Sequence, residues 1–293
     1  MTHTRFRYRQ AQGLNLFYRE AGDPSDPTIV LLHGFPSSSH MFRELIPRLA
    51  DAFHVIAPDY PGFGRSSMPS PDAFDYSFAN LADVVAEFLK AQGVDRFALY
   101  VMDYGGPIGM RVVEREPSRL TGLIVQNANF YQEGLLDMFT KTVGPLWTSR
   151  NPATEKPVRE LLTLEGTKFQ YTHGAHDPTG LNPDAWVHDQ YGLDRPGNPA
   201  IQLDLQADYH TNIARYDQWR STLTTIQPPT LIVWGKGDPL FGTQNVELLE
   251  RDLDDVEAHV LDGGHFALEE HSRFIAERIH EFFGPRLGGG KHR

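Results

Sequence analysis

The stretch Phe97-Ala-Leu-Tyr-Val-Met-Asp-Tyr-Gly-Gly106 decides the fold, because it takes the chain from a buried strand directly into a helix. The run from Phe97 to Met102 is short, apolar and bounded by a turn signal, which is typical of a buried strand. Asp103 and Tyr104 follow, and the two glycines let the chain reverse tightly and let the helix approach the strand closely. We therefore expect the side chain of Asp103 to point into open space above the sheet.

Strands and helices alternate on both sides of this stretch, which predicts a mostly parallel sheet covered by helices on both faces. The predicted strands are Arg5–Arg9, Leu14–Glu20, Thr28–Leu32, His54–Ala57, Phe97–Met102, Leu120–Val125, Thr230–Trp234 and Val256–Leu261. The predicted helices are His40–Leu49, Phe78–Gln92, one that begins at Gly105, Asn245–Asp252 and His271–Phe283.

The alternation stops between about Phe130 and Gln227. This segment has a helical, polar and aromatic-rich sequence, with loop-like pieces at 172–178 and 194–199. We therefore predict an α/β core domain formed by residues 1–129 and 228–287, interrupted by a helical cap domain at 130–227. The glycine-rich end, 288–293, is predicted to be a disordered tail.

The composition of the chain limits its partners and its compartment. At 293 residues it is long enough for one large α/β domain that carries an insertion. A formal net charge of −11 disfavours nucleic acid and anionic membranes, since both would repel the protein. There is no cysteine, and no run approaches the roughly 18–20 apolar residues that cross a bilayer. The basic N-terminus lacks the apolar stretch of a signal peptide, so we expect a cytoplasmic protein. Whether it forms a homo-oligomer stays open.

Two more polar residues stand where predicted strands end. Asp238 follows the strand Thr230–Trp234, and His265 follows the strand Val256–Leu261. Functional groups in an α/β sheet gather at the carboxyl ends of the strands. We therefore expect Asp103, Asp238 and His265 to converge, in the chain order nucleophile, acid and base.

Five motifs, in this order along the chain, resemble those of the α/β-hydrolase family. They are His33-Gly-Phe-Pro36, Asp59-Tyr-Pro-Gly-Phe-Gly64, Val101-Met-Asp-Tyr-Gly105, Gly235-Lys-Gly-Asp238 and Gly263-Gly-His-Phe266. The resemblance covers nearly the whole chain and is strongest to the branch with an aspartate nucleophile, the epoxide hydrolases and haloalkane dehalogenases. It implies an α/β-hydrolase fold with a helical cap and an enzyme that needs no cofactor.

The resemblance also implies roles for the residues of these motifs. A carboxylate can displace a leaving group at a saturated carbon, so Asp103 would form an alkyl ester with the substrate. His265 would then take a proton from water to hydrolyse the ester, while Asp238 orients the imidazole and stabilises the imidazolium. The backbone N–H groups of Phe35 and Tyr104 would form the oxyanion hole. An aspartate attacks unactivated esters poorly, which disfavours an esterase or a lipase.

The leaving group separates the two branches. An epoxide opens to an alkoxide that needs an acid such as a tyrosine hydroxyl, whereas a halide is solvated by N–H donors and is not protonated. Tyr104 departs from the tryptophan that most members of both branches carry after the nucleophile, and neither it nor Phe35 offers the side-chain N–H of a dehalogenase. The sequence therefore favours an epoxide hydrolase acting on a small apolar substrate and water. A haloalkane dehalogenase is the alternative enzyme. A hypothesis from another functional class is a non-catalytic module that binds a small ligand.

The predicted cap supplies the candidate side chains for substrate binding. Tyr209 loosely resembles the second tyrosine of epoxide hydrolases, and Tyr131 and Tyr171 are candidates for the first. The halide alternative depends on the indoles of Trp147, Trp186 and Trp219. No metal is expected, because His173 and His176, with Asp177, lie in a glycine-containing loop whose spacing does not predict a metal site.

Overall fold

The computed structural model describes residues 3–288 and contains a single sheet of eight strands. The strands are β1 (Arg5–Ala11), β2 (Leu14–Ala21), β3 (Thr28–Leu32), β4 (His54–Pro58), β5 (Phe97–Met102), β6 (Leu120–Gln126), β7 (Thr230–Gly235) and β8 (Val256–Leu261). Their order is β1-β2-β4-β3-β5-β6-β7-β8. The pairs β1–β2 and β2–β4 are antiparallel and every other neighbouring pair is parallel, which confirms the predicted sheet.

The helices lie on both faces of the sheet and in one long segment between β6 and β7. They are α1 (Leu45–Leu49), α2 (Phe78–Ala91), α3 (Gly105–Arg115), α4 (Asp137–Thr148), α5 (Pro152–Leu161), α6 (Leu164–Thr172), α7 (Asp184–Leu193), α8 (Asn198–Asp208), α9 (His210–Ile213), α10 (Tyr216–Ile226), α11 (Gln244–Asp252) and α12 (Ala267–Leu287). Helices α4 to α10 occupy the segment predicted to be inserted. That this segment is a cap domain with bounds at 130 and 227 stays a prediction.

Strand β5 lies near the middle of the sheet and is buried on both faces. Leu99 and Val101 pack into the hydrophobic cluster that includes α2 and α3, whereas Tyr100 and Met102 pack into the cluster that includes α1 and α12. Because successive side chains of a strand point to opposite faces, a strand covered on both sides must be apolar throughout. This explains the uninterrupted apolar run before Asp103.

The predicted helix His40–Leu49 is wrong in one respect, because the chain forms two short helices there. A 3-10 helix covers Ser39–Phe42, and α1 begins only at Leu45. The break has a physical cause in Pro47, whose ring would clash with the carbonyl of Arg43 if one α-helix ran through both.

The last helix, α12, is longer than predicted. It begins at Ala267 rather than at His271, and a kink with φ of −122° lies at His271, where the sequence predicts the start. It ends before Gly288, and residues 289–293 of the predicted tail lie outside the described part of the chain. Of the helices within residues 3–288, none combines the length and the apolar composition that a membrane span requires.

Candidate active site

Asp103 lies at the sharp turn between β5 and α3, as the sequence predicts. Its φ is 48°, in the left-handed region that residues with a side chain rarely occupy. The neighbouring backbone leaves no space for other side chains. A Cβ on Gly105 would lie 2.2 Å from the carbonyl oxygen of Leu32. A Cβ on Gly34 would lie 2.3 Å from the Cβ of Asp103. The turn therefore requires these glycines and holds a strained aspartate at the carboxyl edge of the sheet.

Both backbone N–H groups predicted to form the oxyanion hole contact the carboxylate of Asp103. The N–H of Phe35 donates to Oδ1 with an N···O distance of 2.6 Å. The N–H of Tyr104, the next residue, also acts on this carboxylate and lowers its pKa. Oδ1 is thus held by the N–H of Phe35, and Oδ2 faces His265.

The structure brings His265 and Asp238 to the same place. The Nε2 atom of His265 lies 3.8 Å from Oδ2 of Asp103, and its Nδ1 lies 2.7 Å from Oδ2 of Asp238. The imidazole is fully buried, and Nε2 has no hydrogen-bond partner among residues 3–288. Since 3.8 Å exceeds hydrogen-bond length, Nε2 is free to accept a proton from a third molecule. The three side chains are arranged as a nucleophile, a base and an orienting acid would be.

Asn127 is a site residue that the sequence analysis missed. It follows β6 with a φ of 42°, and its Nδ2 donates to Oδ2 of Asp238 at 2.8 Å. Its Oδ1 accepts from the N–H of Gly235 at 3.0 Å. Asp238 also accepts two backbone N–H groups, those of Leu240 and Phe241, at its Oδ1. Its place directly after a strand, like that of Asp103, is the sequence signal that could have identified it.

Burial changes the acidity of both members of the Asp103–His265 pair. Burial raises the pKa of Asp103 from 3.8 to about 6, although His265 and the two N–H donors act in the opposite direction. Burial lowers the pKa of His265, but the carboxylate of Asp238, with a smaller contribution from Asp103, offsets this and leaves the pKa raised. Ionisation of the Asp103 carboxyl therefore destabilises the folded protein, as is expected for a reactive nucleophile.

This destabilisation predicts that Asp103→Asn stabilises the fold at neutral pH. Because the folded protein binds the Asp103 proton more tightly than the unfolded chain does, the ionised side chain destabilises the fold. The effect is complete above about pH 6 and vanishes below about pH 4. We expect the free energy of unfolding of the variant to exceed that of the wild type by on the order of 1–3 kcal/mol at pH 8 and to converge with it near pH 4.

Denaturant unfolding at both pH values measures this difference. Asp72→Asn is the control, since it removes the same charge from an exposed position of a chain with a net charge of −11. An equal gain in both variants would mean that the overall negative charge, and not the burial of Asp103, sets the effect.

Aromatic rings pack against one another beside these three side chains and form what we call the aromatic cluster. It consists of Phe35, Phe78, Tyr104, Phe139, Trp147, Tyr209 and Phe241. The ring centre of Tyr209 lies 6.3 Å from that of Tyr104 and 4.7 Å from that of Phe139. Phe241 extends the cluster to His265, with ring centres 5.7 Å apart. Apart from two tyrosine hydroxyls and the indole N–H of Trp147, the side chains of this cluster are apolar.

These two hydroxyls belong to Tyr104 and Tyr209, both fully buried. The hydroxyl of Tyr104 has no hydrogen-bond partner within the described residues. The hydroxyl of Tyr209 lies 3.4 Å from that of Tyr216, which in turn accepts from Nδ2 of Asn129 at 2.9 Å. Burial raises the pKa of Tyr104 and of Tyr209 well above the ordinary value, so both remain protonated.

The other predicted substrate contacts lie elsewhere. The hydroxyl of Tyr131 donates to Asp252 at 3.1 Å, and that of Tyr171 donates to Asp189. Since carboxylates engage both hydroxyls, neither is free to serve a leaving group in this arrangement. Trp186 packs against the ring of Tyr171, with centres 5.9 Å apart, and is not part of the aromatic cluster.

The remaining histidines named in the sequence analysis have structural partners. The Nδ1 of His33 contacts the carbonyl oxygen of Gly34 at 3.1 Å, and its Nε2 accepts from the N–H of Tyr60 at 3.3 Å. The Nδ1 of His176 pairs with Asp262 at 2.9 Å on the surface. Across residues 3–288, no group of three or more metal-ligating side chains lies close enough together to hold a metal ion.

Comparison with known proteins identifies the family. Residues 27–272 match the family model described as the alpha/beta hydrolase fold. The chain belongs to the α/β-hydrolase family. It is 40% identical over 95% of its length to an uncharacterized hydrolase of Saccharomyces cerevisiae, of which it covers 97%. It is 36% identical over 91% of its length to a haloalkane dehalogenase of Mycobacterium marinum, of which it covers 88%.

Solved structures of this family share the same architecture. Haloalkane dehalogenase DbeA from Bradyrhizobium elkani superimposes with a TM-score of 0.79 at 20% identity, over 98% of this chain and 100% of that one. At this identity the likeness shows the fold alone. The α/β-hydrolase fold predicted from the sequence is confirmed, and the chain is a hydrolase of this fold with haloalkane dehalogenases among its relatives.

Proposed function

We propose that this hydrolase opens epoxides to diols through a covalent ester on Asp103. The observation that carries the proposal is the pair of buried, protonated hydroxyls of Tyr104 and Tyr209, whose pKa values the charge of Asp103 helps to raise, because an epoxide oxygen must be protonated as it leaves. The apolar aromatic cluster favours a small apolar substrate, and water is the second reactant. No cofactor enters this chemistry.

The hydrogen-bond order around Tyr209 supports its role as the acid. Because the hydroxyl oxygen of Tyr216 accepts from Asn129, its own hydrogen can be donated to the oxygen of Tyr209. The hydrogen of Tyr209 then points away from Tyr216 and can be donated to a substrate oxygen. Tyr104, directly after the nucleophile, offers a second hydroxyl without a protein partner among residues 3–288.

The first step forms the ester. Oδ2 of Asp103 attacks an epoxide carbon, the carbon–oxygen bond of the ring breaks, and the alkoxide takes a proton from Tyr209. Oδ1 becomes the carbonyl oxygen of the ester and stays hydrogen-bonded to the N–H of Phe35, as it is before the reaction. The nucleophile is therefore already oriented for attack by the oxygen that faces the base.

The second step hydrolyses the ester. Nε2 of His265 takes a proton from water, and the hydroxide attacks Cγ of Asp103. The negative charge develops on Oδ1, where the N–H groups of Phe35 and Tyr104 stabilise it. Asp238 stabilises the imidazolium and holds its tautomer through the 2.7 Å contact with Nδ1. Collapse breaks the bond between Cγ and Oδ2, and the second hydroxyl of the diol takes its proton from the imidazolium. The proton that the attacking hydroxide leaves on the carboxyl of Asp103 returns to the phenolate of Tyr209, which restores both groups.

Haloalkane dehalogenation is the second candidate, because relatives at 30–36% identity carry that name. The same ester chemistry would serve it, with a halide leaving unprotonated. The indole of Trp147 stacks on Tyr209 with ring centres 6.2 Å apart, but its Nε1 donates to the carbonyl oxygen of Gln206 at 3.1 Å. The buried hydroxyls of Tyr104 and Tyr209 are protonated O–H donors, which suit an alkoxide better than a halide.

Tyr209→Phe tests the leaving group. We expect it to lower kcat/KM for epoxides by about 10²–10³-fold, because it removes the proton donor, and to lower halide release from bromoalkanes by less than about threefold. Diol formation and halide release, measured on substrates of matched chain length, give the two rates.

Tyr216→Phe is the matched control, since it removes a neighbouring hydroxyl without removing the donor. If Tyr216→Phe lowered kcat/KM for epoxides as much as Tyr209→Phe does, the effect would come from the loss of the hydrogen-bonded pair. It would then not identify Tyr209 as the proton donor. Turnover of bromoalkanes with none of epoxides by the wild type would replace the epoxide proposal by dehalogenation.

A further inference from the structure

A cavity of about 440 Å³ lies beside the loop that carries the oxyanion N–H of Phe35. Its wall includes Pro36, the next residue, and Phe63, whose ring centre is 6.4 Å from that of Tyr104. Much of the remaining wall comes from α7 and α8. The cavity therefore adjoins the loop whose N–H contacts Asp103 and a ring that packs near Tyr104.

Three amide side chains follow one another along one face of α8. Asn198, Gln202 and Gln206 are spaced by four residues, so they lie above one another on the helix. Their exposed fractions are 1%, 0% and 3%. Buried amides require hydrogen-bond partners, so the partners of each group indicate its role.

The hydrogen bonds fix which end of Gln202 is the acceptor. The side chain of Asn198 lies 2.6 Å from the carbonyl oxygen of Gly62, so the atom there must be the donor Nδ2. Oδ1 of Asn198 then faces Gln202 and accepts from its Nε2 at 3.1 Å. The remaining atom, Oε1 of Gln202, is a buried acceptor without a partner within residues 3–288, on a side chain that lines the cavity.

The other polar groups of the cavity wall do not determine whether a ligand would have to donate or accept a hydrogen bond. The hydroxyl of Ser37 donates to Asp189 at 3.3 Å, and Asp189 also accepts from Tyr171. The buried Nδ1 of His188 has no hydrogen-bond partner among the described residues and lies 3.6 Å from Oδ1 of Asp189. An imidazole nitrogen can donate or accept, whereas Oε1 of Gln202 can only accept. Any hydrogen bond between a ligand in this cavity and Oε1 of Gln202 must therefore be donated by the ligand.

We infer that Gln202 determines substrate specificity by accepting a hydrogen bond from a hydroxyl or N–H group that the substrate carries away from its reacting carbon. The inference rests on the proposed function and narrows its substrates to epoxides with a hydrogen-bond donor along the chain. A wholly apolar substrate would leave this buried acceptor unsatisfied. A site built to bind a hydroxyl discriminates strongly against the analogue that lacks it.

Binding of two simple probes tests the subsite without turnover. 1-Hexanol and 1-methoxypentane have equal numbers of heavy atoms, but the alcohol alone has a donor. By ligand-observed NMR we expect the wild type to bind the alcohol about tenfold more tightly, and Gln202→Met to bind both alike. Gln206→Met makes the same change one turn along α8, outside the cavity wall, and should keep the preference.

Kinetics with 5,6-epoxyhexan-1-ol and 1,2-epoxyheptane, again matched in heavy atoms, extends the test to catalysis. We expect the kcat/KM ratio of the wild type to favour the hydroxylated epoxide about tenfold, and Gln202→Met to abolish this preference. A wild type with no preference in either assay overturns the inference, whatever the variant does, and so does equal loss in both glutamine variants. A preference in binding that Gln202→Met abolishes, with no epoxide turned over, would leave the subsite standing and remove the proposed function.

Discussion

Asp103→Asn is expected to lower the turnover of any substrate of this enzyme by at least about 10⁴-fold while leaving the fold intact. The amide oxygen can still accept from the N–H groups of Phe35 and Tyr104, so the turn keeps its contacts. The amide cannot displace a leaving group, because it lacks the negative charge of the carboxylate. The loss should appear in kcat, since the step removed is chemical.

Initial rates at saturating epoxide, with circular dichroism as the check on folding, measure this loss. Asp72→Asn, at an exposed position, should keep wild-type rates. Slow recovery of activity, together with a mass increase of one dalton, would mean that water activated by His265 hydrolyses the introduced amide. Immediate activity within about tenfold of the wild type would contradict a nucleophilic role for Asp103.

A single turnover in ¹⁸O-labelled water separates the nucleophile from a general base. Hydrolysis at Cγ breaks the bond between Cγ and Oδ2, so the first diol carries Oδ2 and the label enters Asp103. A carboxylate that merely activated water would place the label in the first diol instead.

Much of the fold could be predicted because each element has a local cause. The apolar run of β5 follows from burial on both faces, and the Asp-Tyr-Gly-Gly turn follows from contacts that exclude a Cβ at Gly105. Asp238 and His265 could be placed because parallel strands bring their carboxyl ends to one edge. The helix break before α1 could also have been predicted, since Pro47 is visible in the sequence.

The side-chain partners could not be predicted, because they depend on packing between distant segments. Tyr131, Tyr171 and Tyr209 are all candidates in the sequence, where only a loose resemblance favours Tyr209, but Asp252 and Asp189 engage the hydroxyls of the first two. The orientation of the Gln202 side-chain amide depends on the carbonyl of Gly62, which lies 140 residues earlier in the chain. Sequence motifs therefore predicted the three side chains that meet at the edge of the sheet, whereas tertiary contacts determine which tyrosine hydroxyls are engaged by carboxylates.

His265→Gln should trap the ester on Asp103 and thereby identify the leaving group. Ester formation needs only the ionised carboxylate, whereas its hydrolysis needs the base, so we expect hydrolysis to slow by at least about 10³-fold. Because His265 lowers the pKa of Asp103, its removal raises that pKa above about 6, and the incubation should be run near pH 8.

The intact mass of the His265→Gln variant after incubation with epoxides and bromoalkanes identifies the leaving group. An adduct with the full mass of the epoxide, mapped to Asp103, is the expected result, since both atoms of the opened bond stay with the protein-bound product. An adduct of the alkyl group, formed with bromoalkanes alone, would assign dehalogenation. His176→Gln, which changes an exposed histidine, should show no adduct because its ester is hydrolysed normally. A folded His265→Gln protein that gains no mass from either panel would contradict the ester mechanism itself, because the nucleophile, its N–H donors and the surrounding rings would all be in place.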